Sequence, residues 1–314
     1  MPSWQMRLFS TITRILIKRG ARKEVKDELS GAKRVRKLFE PSDFLRPSLP
    51  PEVQISPVAE NGIRGEWVEW ESDPQKSVYY LHGGGYIACS PKTHRGFTAL
   101  LSRAARARVF ALDYRLAPEN KFPAAVEDAV AGYRLLLEKG EDPGKIVIGG
   151  DSAGGGLAAA TLIAIRDRNL PMPSAAFLLS PWTDLAATGN SITGNEKADS
   201  MLSGKMIHKL AKAYYGEASS TDPLVSPLYG DLIGLPPLLI YASSTEILLD
   251  DSTRLAERAR KQGVKADLRV WNDMPHVWPI FAPFKIPESL TALNEIAEFI
   301  EQQTSRTEAR RNAA

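Results

Sequence analysis

The sequence is nearly free of cysteine, since Cys89 is the only one in 314 residues. This excludes an intrachain disulfide framework and a cysteine-based metal cluster, because each of them needs several thiols. A chain of this kind suits a reducing compartment, so we expect a cytoplasmic protein. Long apolar runs are also missing, since no uninterrupted stretch approaches the roughly 20 residues of a membrane-spanning helix. We therefore expect no stable membrane insertion.

The sequence also has little net charge: the formal value is +3, from 40 Lys and Arg against 37 Asp and Glu. The basic residues are nevertheless concentrated in residues 1–38. No nucleic-acid-binding motif follows them, so we expect no nucleic-acid partner. At about 100° per residue, a helix over residues 4–19 has Arg7, Arg14 and Lys18 on one face. Its other face is apolar, with Leu8, Phe9, Ile12, Ile15 and Leu16. We interpret the segment as an amphipathic helix packed on the protein, and an anionic membrane is the alternative surface.

Strand-like and helix-like stretches alternate along the chain from about residue 65. Residues 123–139 and 250–263 have helical patterns. The alternation predicts an α/β fold with a mostly parallel sheet covered by helices on both faces. Little chain separates the first two strands, so we expect them to pair as an antiparallel hairpin at one edge of the sheet. The predicted strands are 65–70, 77–81, 107–113, 145–150, 175–180, 237–242 and 267–271.

Two regions break this alternation. Residues 1–50 look helical and then extended, whereas residues 183–225 contain no strand pattern although predicted strands flank them. The second region is therefore interpreted as an insertion over one end of the sheet. The C-terminal tail, residues 304–314, is predicted to be disordered.

The pentapeptide GDSAG, residues 150–154, follows the strand pattern KIVIG and precedes the helical pattern LAAATLIAI. A G-x-S-x-G sequence between a strand and a helix predicts a nucleophile elbow, in which a tight turn holds the serine above the sheet. Ser152 is then the nucleophile, and Gly150 and Gly154 let strand and helix approach each other. The N–H of Ala153 begins the helix and favours a developing anion. A glycine-rich turn with an incidental serine is the alternative, which the flanking strand and helix disfavour.

The second motif is HGGGY, residues 82–86, at the end of the strand pattern SVYYL. Three consecutive glycines offer unobstructed backbone N–H groups, and a loop of this type supplies the other half of the oxyanion hole. A phosphate-binding loop is the alternative, but neither a following Lys-Ser/Thr pair nor a G-x-G-x-x-G sequence is present.

A serine nucleophile needs a base, and the chain has four histidines. His82 belongs to the glycine loop, His94 follows that loop closely, and His208 lies in the insertion. His276 follows a late strand, and active sites of α/β sheets gather where loops leave the C-terminal ends of the strands. We therefore predict that His276 is the base.

Together these motifs resemble the hormone-sensitive-lipase-like branch of the α/β-hydrolase esterases. The resemblance covers nearly all of residues 65–300 and implies an ester hydrolase whose sheet has about eight strands. It implies oxyanion donors on Gly84, Gly85 and Ala153, with Gly83 allowing the turn. The sequence DYRLAP at 113–118 looks structural and braces the glycine loop. The matching motifs are HGGGY at 82–86, DYRLAPENKFPAAVEDA at 113–129, GDSAGGG at 150–156 and MPHVW at 274–278.

The same resemblance implies two domains. A discontinuous helical cap consists of residues 1–50 and 183–225. The α/β-hydrolase catalytic core consists of residues 51–182 and 226–314. The two regions that interrupt the strand–helix alternation match this cap.

The acid of the triad follows the serine and precedes the histidine in this fold. The family has it in a D-P-L stretch about thirty residues before the histidine, which leads from His276 back to Glu246. Here Glu-Ile-Leu replaces Asp-Pro-Leu. Asp250 is the rival, because it lies near a helix start where a carboxylate caps free N–H groups, and Asp251 is a third candidate. The family pattern favours Glu246.

The predicted activity is hydrolysis of short- to medium-chain carboxylic esters through an acyl-enzyme, with a small-molecule ester as substrate and no metal or organic cofactor. A lactone hydrolase with the same triad is the nearest alternative. A non-catalytic receptor on a hydrolase scaffold is disfavoured because Ser152 and His276 are both present. Whether the chain forms a homodimer stays open. Candidate pocket residues, each of which also suits the core of the cap, are Leu8, Phe9, Ile12, Met201, Met206, Tyr214, Tyr215 and Val277.

Overall fold

The computed structural model describes residues 1–21, 28–39, 49–70 and 74–312. Within them, eight strands form one sheet in the order β1-β2-β4-β3-β5-β6-β7-β8. Strands β3 to β8 run parallel, whereas β2 is antiparallel to both β1 and β4. The predicted α/β fold with a mostly parallel sheet is confirmed. The strands are β1 (Gln54–Glu60), β2 (Ile63–Glu69), β3 (Ser77–Leu81), β4 (Arg108–Leu112), β5 (Ile146–Asp151), β6 (Ala175–Leu179), β7 (Leu238–Ser243) and β8 (Ala266–Trp271).

Helices cover both faces of this sheet. Helices α4 and α5 pack together on one face, and α3 and α9 pack together on the other. Side chains alternate along each strand, so the neighbours Tyr79 and Tyr80 of β3 belong to the two different hydrophobic cores. The helices are α1 (Trp4–Ala21), α2 (Glu28–Phe39), α3 (Pro91–Ala105), α4 (Ala124–Glu138), α5 (Ala153–Asp167), α6 (Ser191–Gly194), α7 (Gly204–Tyr215), α8 (Leu249–Lys261) and α9 (Pro287–Asn312).

The central strands β3, β5, β6 and β7 are buried along their whole length. Their sequences are mostly unbroken apolar runs, which is the pattern of parallel strands covered on both faces. The carboxyl ends of these strands therefore lie together at one edge of the sheet. The loops that follow them begin from buried backbone. This edge carries the candidate site.

The predicted hairpin between the strands at 65–70 and 77–81 is wrong. Strand β2 instead turns back on β1 through Asn61 and Gly62, whose φ angles are 51° and 80°. Two positive φ values match a type I′ turn, for which Asn-Gly is a favoured pair. Strand β1 was missed because Pro57 interrupts its pattern, and proline is tolerated there since β1 is an edge strand.

Helices α1 and α2 come from the first predicted cap region, and α6 and α7 from the second, where the described backbone contains no strand. Residues 22–27 and 40–48 lie outside the described residues, so the predicted extended stretch before residue 50 is largely outside them. Helix α1 contacts the second region, because Arg14 Nη2 donates to the carbonyl of Ala198 at 2.7 Å.

The predicted disorder of residues 304–314 is wrong over most of that range. Helix α9 continues to Asn312. Thr304 is buried, and its hydroxyl donates to the carbonyl of Ile300 at 2.9 Å. The helix, and the burial of its side chains as far as Thr304, therefore extend into a segment whose polar composition suggested disorder.

Candidate active site

Ser152 lies in a sharp turn between β5 and α5. Its φ of 53° and ψ of −122° lie outside the regions that L-residues prefer, as expected of a nucleophile elbow. Backbone hydrogen bonds hold this turn: the Ser152 N–H donates to Leu179 O at 2.8 Å, and the Ser152 carbonyl accepts from Trp182 N at 2.9 Å. Strand β6 and the loop after it therefore stabilise the strained conformation.

Gly150 and Gly154 bring the strand and the helix together at this turn. A Cβ added at Gly154 would lie 2.0 Å from Leu81 O, and one added at Gly150 would lie 2.4 Å from Gly154 O. Both distances are far shorter than a van der Waals contact, and the opposing atoms are backbone. The two glycines therefore permit the close approach that the motif predicts.

His276 lies in the loop after β8 and contacts Ser152. Its Nε2 is 2.8 Å from Ser152 Oγ, and its Nδ1 is 2.7 Å from Glu246 Oε2. An imidazole protonated at Nδ1 donates to the carboxylate and leaves Nε2 free to accept the serine proton. His276 and Glu246 are 3% and 1% exposed, so their contact lies in a low-dielectric environment that strengthens it.

Glu246 is held by the end of β7. Its second oxygen, Oε1, accepts the N–H of Ser243 at 2.8 Å. The hydroxyl of Ser243 donates to the carbonyl of Met274 at 2.7 Å, which joins the glutamate loop to the histidine loop. Both oxygens of the carboxylate thus have hydrogen-bond partners. These bonds fix the orientation of the glutamate side chain, which is longer than that of the family's aspartate.

Asp250 and Asp251 bind the insertion. Asp250 Oδ2 accepts the N–H of Ser191 at 3.1 Å. Asp251 Oδ2 accepts the N–H groups of Thr183 and Asp184 at 2.7 and 2.8 Å. Burial raises the pKa of Asp251 well above its usual value. The histidine is therefore paired with the glutamate, whereas the two aspartates accept backbone N–H groups of the insertion.

Opposing effects act on the pKa of His276. Burial lowers this pKa, whereas the hydrogen bond and the charge of Glu246 raise it, with smaller contributions from Asp199 and Asp151. The result is a pKa above the ordinary value of 6.5. Only the unprotonated Nε2 accepts a proton, so the base form prevails above this raised pKa.

The glycine loop has backbone conformations that favour glycine. Gly84 and Gly85 have φ angles of 113° and 63°, and a Cβ at Gly84 would lie 2.2 Å from Ala88 O. The N–H of Gly83 donates to Asp151 Oδ1 at 3.0 Å. Gly83 was predicted among the oxyanion-hole residues as the one that allows the turn, and the Asp151 carboxylate holds its N–H in this loop.

Asp151 is at the centre of a buried polar cluster that sequence analysis missed. Its Oδ1 also accepts the hydroxyl of Tyr80 at 2.7 Å and lies 3.3 Å from His94 Nε2. Burial lowers the pKa of His94, but Asp151 raises it above the ordinary value; burial raises the pKa of Asp151, but His94 lowers it below its ordinary value. The cluster therefore stabilises the charged form of Asp151 next to Ser152.

The DYRLAP segment braces the glycine loop from below, as the sequence predicts. The Tyr114 hydroxyl donates to the carbonyl of His82 at 2.7 Å, and the two rings stack with centroids 4.3 Å apart. The Ala117 N–H donates to Tyr86 O at 2.9 Å. Burial lowers the pKa of His82 to about 3, so this histidine is neutral at physiological pH.

The insertion also holds the glutamate loop. The Ser191 hydroxyl donates to Ile247 O at 2.7 Å, and Asn195 Nδ2 donates to Glu246 O at 2.9 Å. Asp199 Oδ2 accepts the Ile247 N–H at 2.9 Å. Sequence analysis missed these residues because isolated polar residues in a segment without periodicity have no local signature.

The predicted pocket residues of the second cap region have different surroundings. Tyr214 is buried and stacks on Tyr86 of the glycine loop, with ring centroids 3.7 Å apart. Tyr215 is half-buried, with the Lys212 ammonium 5.4 Å from its ring centroid. Leu210, which was not predicted, lies against Gly85: a Cβ on that glycine would be 2.9 Å from Leu210 Cδ1. Met201 and Met206 are half-buried.

Val277 is buried, and its N–H donates to Ser180 Oγ at 3.2 Å. Of the residues predicted on α1, Phe9 packs on the ring of Phe281, with centroids 4.3 Å apart. Leu8 and Ile12 are 52% and 46% exposed, so they lie on the outer face of the helix. The predicted inward orientation of these two residues is wrong.

The family model of the α/β-hydrolase fold matches residues 78–280, a range that contains Ser152, Glu246 and His276. The chain belongs to the α/β-hydrolase family. An acetyl-hydrolase of Streptomyces hygroscopicus is 44% identical over 239 residues, which cover 76% of this chain and 80% of that protein. An esterase of Acinetobacter venetianus is 38% identical over 252 residues, which cover 79% of this chain and 82% of that protein.

Solved structures identify the branch of the family. An esterase from the bacterial hormone-sensitive lipase family has a TM-score of 0.87 and 41% identity, covering 97% of this chain and 100% of that chain. The esterase EstE5, soaked with p-nitrophenyl butyrate, has a TM-score of 0.88 and 40% identity, covering 96% of this chain and 99% of that chain. This α/β-hydrolase is a carboxylesterase of the bacterial hormone-sensitive-lipase-like branch.

No helix among the described residues combines the length and the apolar character needed to cross a membrane. No group of three or more His, Cys, Asp or Glu side chains in the described ranges has an arrangement suited to a metal ion.

Replacing Gly154 with alanine tests the close contact at the elbow. We expect Gly154→Ala to lower the free energy of unfolding by about 2 kcal/mol or more, because the added Cβ meets the backbone carbonyl of Leu81. Gly194→Ala is the matched control, since a Cβ there has no atom within 4 Å. Urea unfolding followed by circular dichroism measures both, and equal stability of the two variants would contradict the packing described.

Proposed function

We propose that this carboxylesterase hydrolyses short- to medium-chain esters through an acyl-enzyme, with Ser152 as nucleophile, His276 as base and Glu246 as the acid of the triad. The observation that carries the proposal is the continuous hydrogen-bonded chain from Ser152 Oγ through the imidazole to the glutamate, with distances of 2.8 and 2.7 Å. A nucleophile, a base and a group that orients the base are then in contact, which is the arrangement of a serine hydrolase.

In the first step, Ser152 Oγ attacks the carbonyl carbon of the ester while its proton passes to His276 Nε2. The carbonyl double bond opens, and its electron pair forms an oxyanion. Glu246 stabilises the imidazolium and keeps the ring oriented. Collapse of this intermediate breaks the ester C–O bond, and His276 returns the proton to the departing alcohol.

In the second step, a water molecule gives its proton to His276 and attacks the acyl carbon. The second tetrahedral intermediate releases the carboxylic acid, and the proton returns to Ser152. We assign the oxyanion donors to the backbone N–H groups of Gly84, Gly85 and Ala153. Each donor of this kind contributes about 3 kcal/mol to the transition state.

The surroundings of the glycine loop and the relatives support a preference for substrates with short acyl groups. Leu210 lies against Gly85, and Tyr86 of the same loop stacks on Tyr214. One relative is named an acetyl-hydrolase, and EstE5 was soaked with a butyrate ester. Bulky side chains next to the glycine loop and these relatives support a short acyl chain.

The cap arrangement belongs to the same proposal. The contacts of Asn195 and Asp199 with the glutamate loop support assigning residues 183–225 to a cap over the site, together with residues 1–50. The cytoplasmic location stays a prediction, and whether the chain forms a homodimer stays open.

The proposal is tested with Ser152→Ala and a panel of p-nitrophenyl esters from acetate to palmitate, with a lactone and an anilide added. We expect the wild type to prefer acetate and butyrate. The variant loses turnover by about 10⁴-fold or more, since the nucleophile is removed. Retained turnover in the variant would refute the mechanism, and a preference for the lactone would assign the enzyme to lactone hydrolysis.

A second pair of variants compares the two carboxylates. We expect Glu246→Gln to lower kcat by about 10²- to 10⁴-fold, because a neutral amide neither orients the imidazole nor stabilises its charge. Asp250→Asn removes the charge but leaves an amide oxygen that can still accept the Ser191 N–H, so we expect it to lower kcat by less than about tenfold. Steady-state kinetics on p-nitrophenyl acetate measure both. A collapse of activity confined to Asp250→Asn would make that residue the triad acid.

The pH profile depends on the raised pKa of His276. Activity requires the neutral imidazole, so it is lost as pH falls through this pKa. We expect the midpoint of the acidic limb of kcat/KM above 6.5, the ordinary histidine value. Glu246→Gln removes the charge that raises the pKa, so the midpoint moves to lower pH in the variant. An unchanged midpoint in that variant would contradict the assignment.

A further inference from the structure

The outer face of α1 carries a row of exposed apolar side chains, which we call the α1 stripe: Trp4, Leu8, Ile12 and Ile15. Their side chains are 65%, 52%, 46% and 45% exposed. At about 100° per residue, all four fall within an arc of about 80°. Single exposed apolar residues are ordinary on a protein surface, but four on one arc form a continuous patch.

The opposite face of the helix is firmly attached, so the stripe belongs to a well-packed element. The Ser3 hydroxyl donates to Glu288 Oε2 at 2.8 Å, at the start of α9. Met6 is 0% exposed, and the ring of Phe9 lies 4.3 Å from that of Phe281. Helix α1 therefore has two apolar faces, and only the one with Met6 and Phe9 is used in the described structure.

Positive charge borders the α1 stripe. Arg7 and Arg14 lie along one edge of it in the helical repeat, and both are exposed. Residues 1–38 contain eleven Lys and Arg against three Asp and Glu. An exposed apolar arc that includes tryptophan and is flanked by cations is the composition of helices that lie in a membrane interface. The apolar arc enters the acyl boundary, and the cations bind anionic head groups.

We propose that the α1 stripe docks this esterase on the surface of an anionic phospholipid membrane. The bound helix lies in the plane of the interface and does not cross the bilayer. Charge favours this occupant over a second copy of the chain, because a two-fold contact through the stripe brings two rows of arginine together. Anionic lipid instead neutralises the row.

Docking also orients the active site. Phe9 contacts the ring of Phe284 at 5.4 Å, and Phe284 is itself 52% exposed. Phe284 ends the 3₁₀ segment Trp278–Phe284, which follows His276 closely. The attached face of α1 is therefore in contact with the segment that follows the proposed base. This orienting effect rests on the proposed function, whereas the docking itself does not.

The test is co-sedimentation of the full chain with sucrose-loaded vesicles. We expect it to partition onto equimolar phosphatidylcholine and phosphatidylglycerol, and not onto phosphatidylcholine alone, with partition falling as salt rises. The double variant Trp4→Ser/Ile15→Ser lowers the partition coefficient at least about tenfold, because two interfacial side chains are lost. Its turnover of soluble p-nitrophenyl acetate stays at the wild-type level, which shows that it folds.

The matched control is Ile233→Ser/Val270→Ser, which replaces two residues that are 59% and 42% exposed elsewhere on the surface. We expect it to bind like the wild type. Ser152→Ala is also expected to bind like the wild type, which separates docking from catalysis. Absent binding to the anionic vesicles, or equal binding by the stripe variant, would overturn the proposal. A dimer seen by light scattering that only the stripe variant loses would assign the patch to a second copy and also overturn it.

Discussion

The carboxylate of Asp151 joins the parts of the site whose distances must stay fixed. It belongs to the residue directly before Ser152, and it accepts the N–H of Gly83 at the start of the glycine loop. Tyr80 and His94 hold the same carboxylate from β3 and α3. A charge buried so deeply is stable only when it is paired and hydrogen-bonded. One carboxylate therefore holds the turn at Ser152 and the loop proposed to bind the oxyanion together.

A second set of contacts connects the cap region to the glutamate. Glu246 has a carboxylate that reaches His276, but its backbone carbonyl accepts from Asn195 of the insertion. Asp199 holds the next residue by its N–H. The insertion therefore holds the backbone at Glu246 and Ile247, and its Tyr214 lies beside the glycine loop.

Motifs that impose a local backbone geometry could be read from the sequence. GDSAG and HGGGY require positive φ angles and small side chains, and the structure has such angles at Ser152 and Gly84. The buried parallel strands are mostly apolar, and their alternation with helical stretches predicted a mostly parallel sheet. Long-range hydrogen bonds have no such signature. The contacts of Asp151 with His94, and of Asn195 with Glu246, depend on segments far apart in the chain.

Helix α1 shows a second limit of prediction from hydrophobic periodicity, which concerns the face of a helix that becomes buried. The repeat placed Leu8, Phe9 and Ile12 on one apolar face, whereas the structure packs Phe9 on the protein and leaves Leu8 and Ile12 exposed. Which arc is buried depends on the partner, here the ring of Phe281 and the start of α9, and not on the helix itself. Strand β1 was missed for a related reason. An edge position permits a proline that the strand pattern alone argues against.

The stack of Tyr86 on Tyr214 joins two segments that are far apart in the chain. The first ring belongs to the glycine loop and the second to α7, with an interplanar angle of 8°. Both rings are buried, so loss of either one uncovers the other. The fit of α7 over the glycine loop therefore depends on a flat ring at each of these two positions.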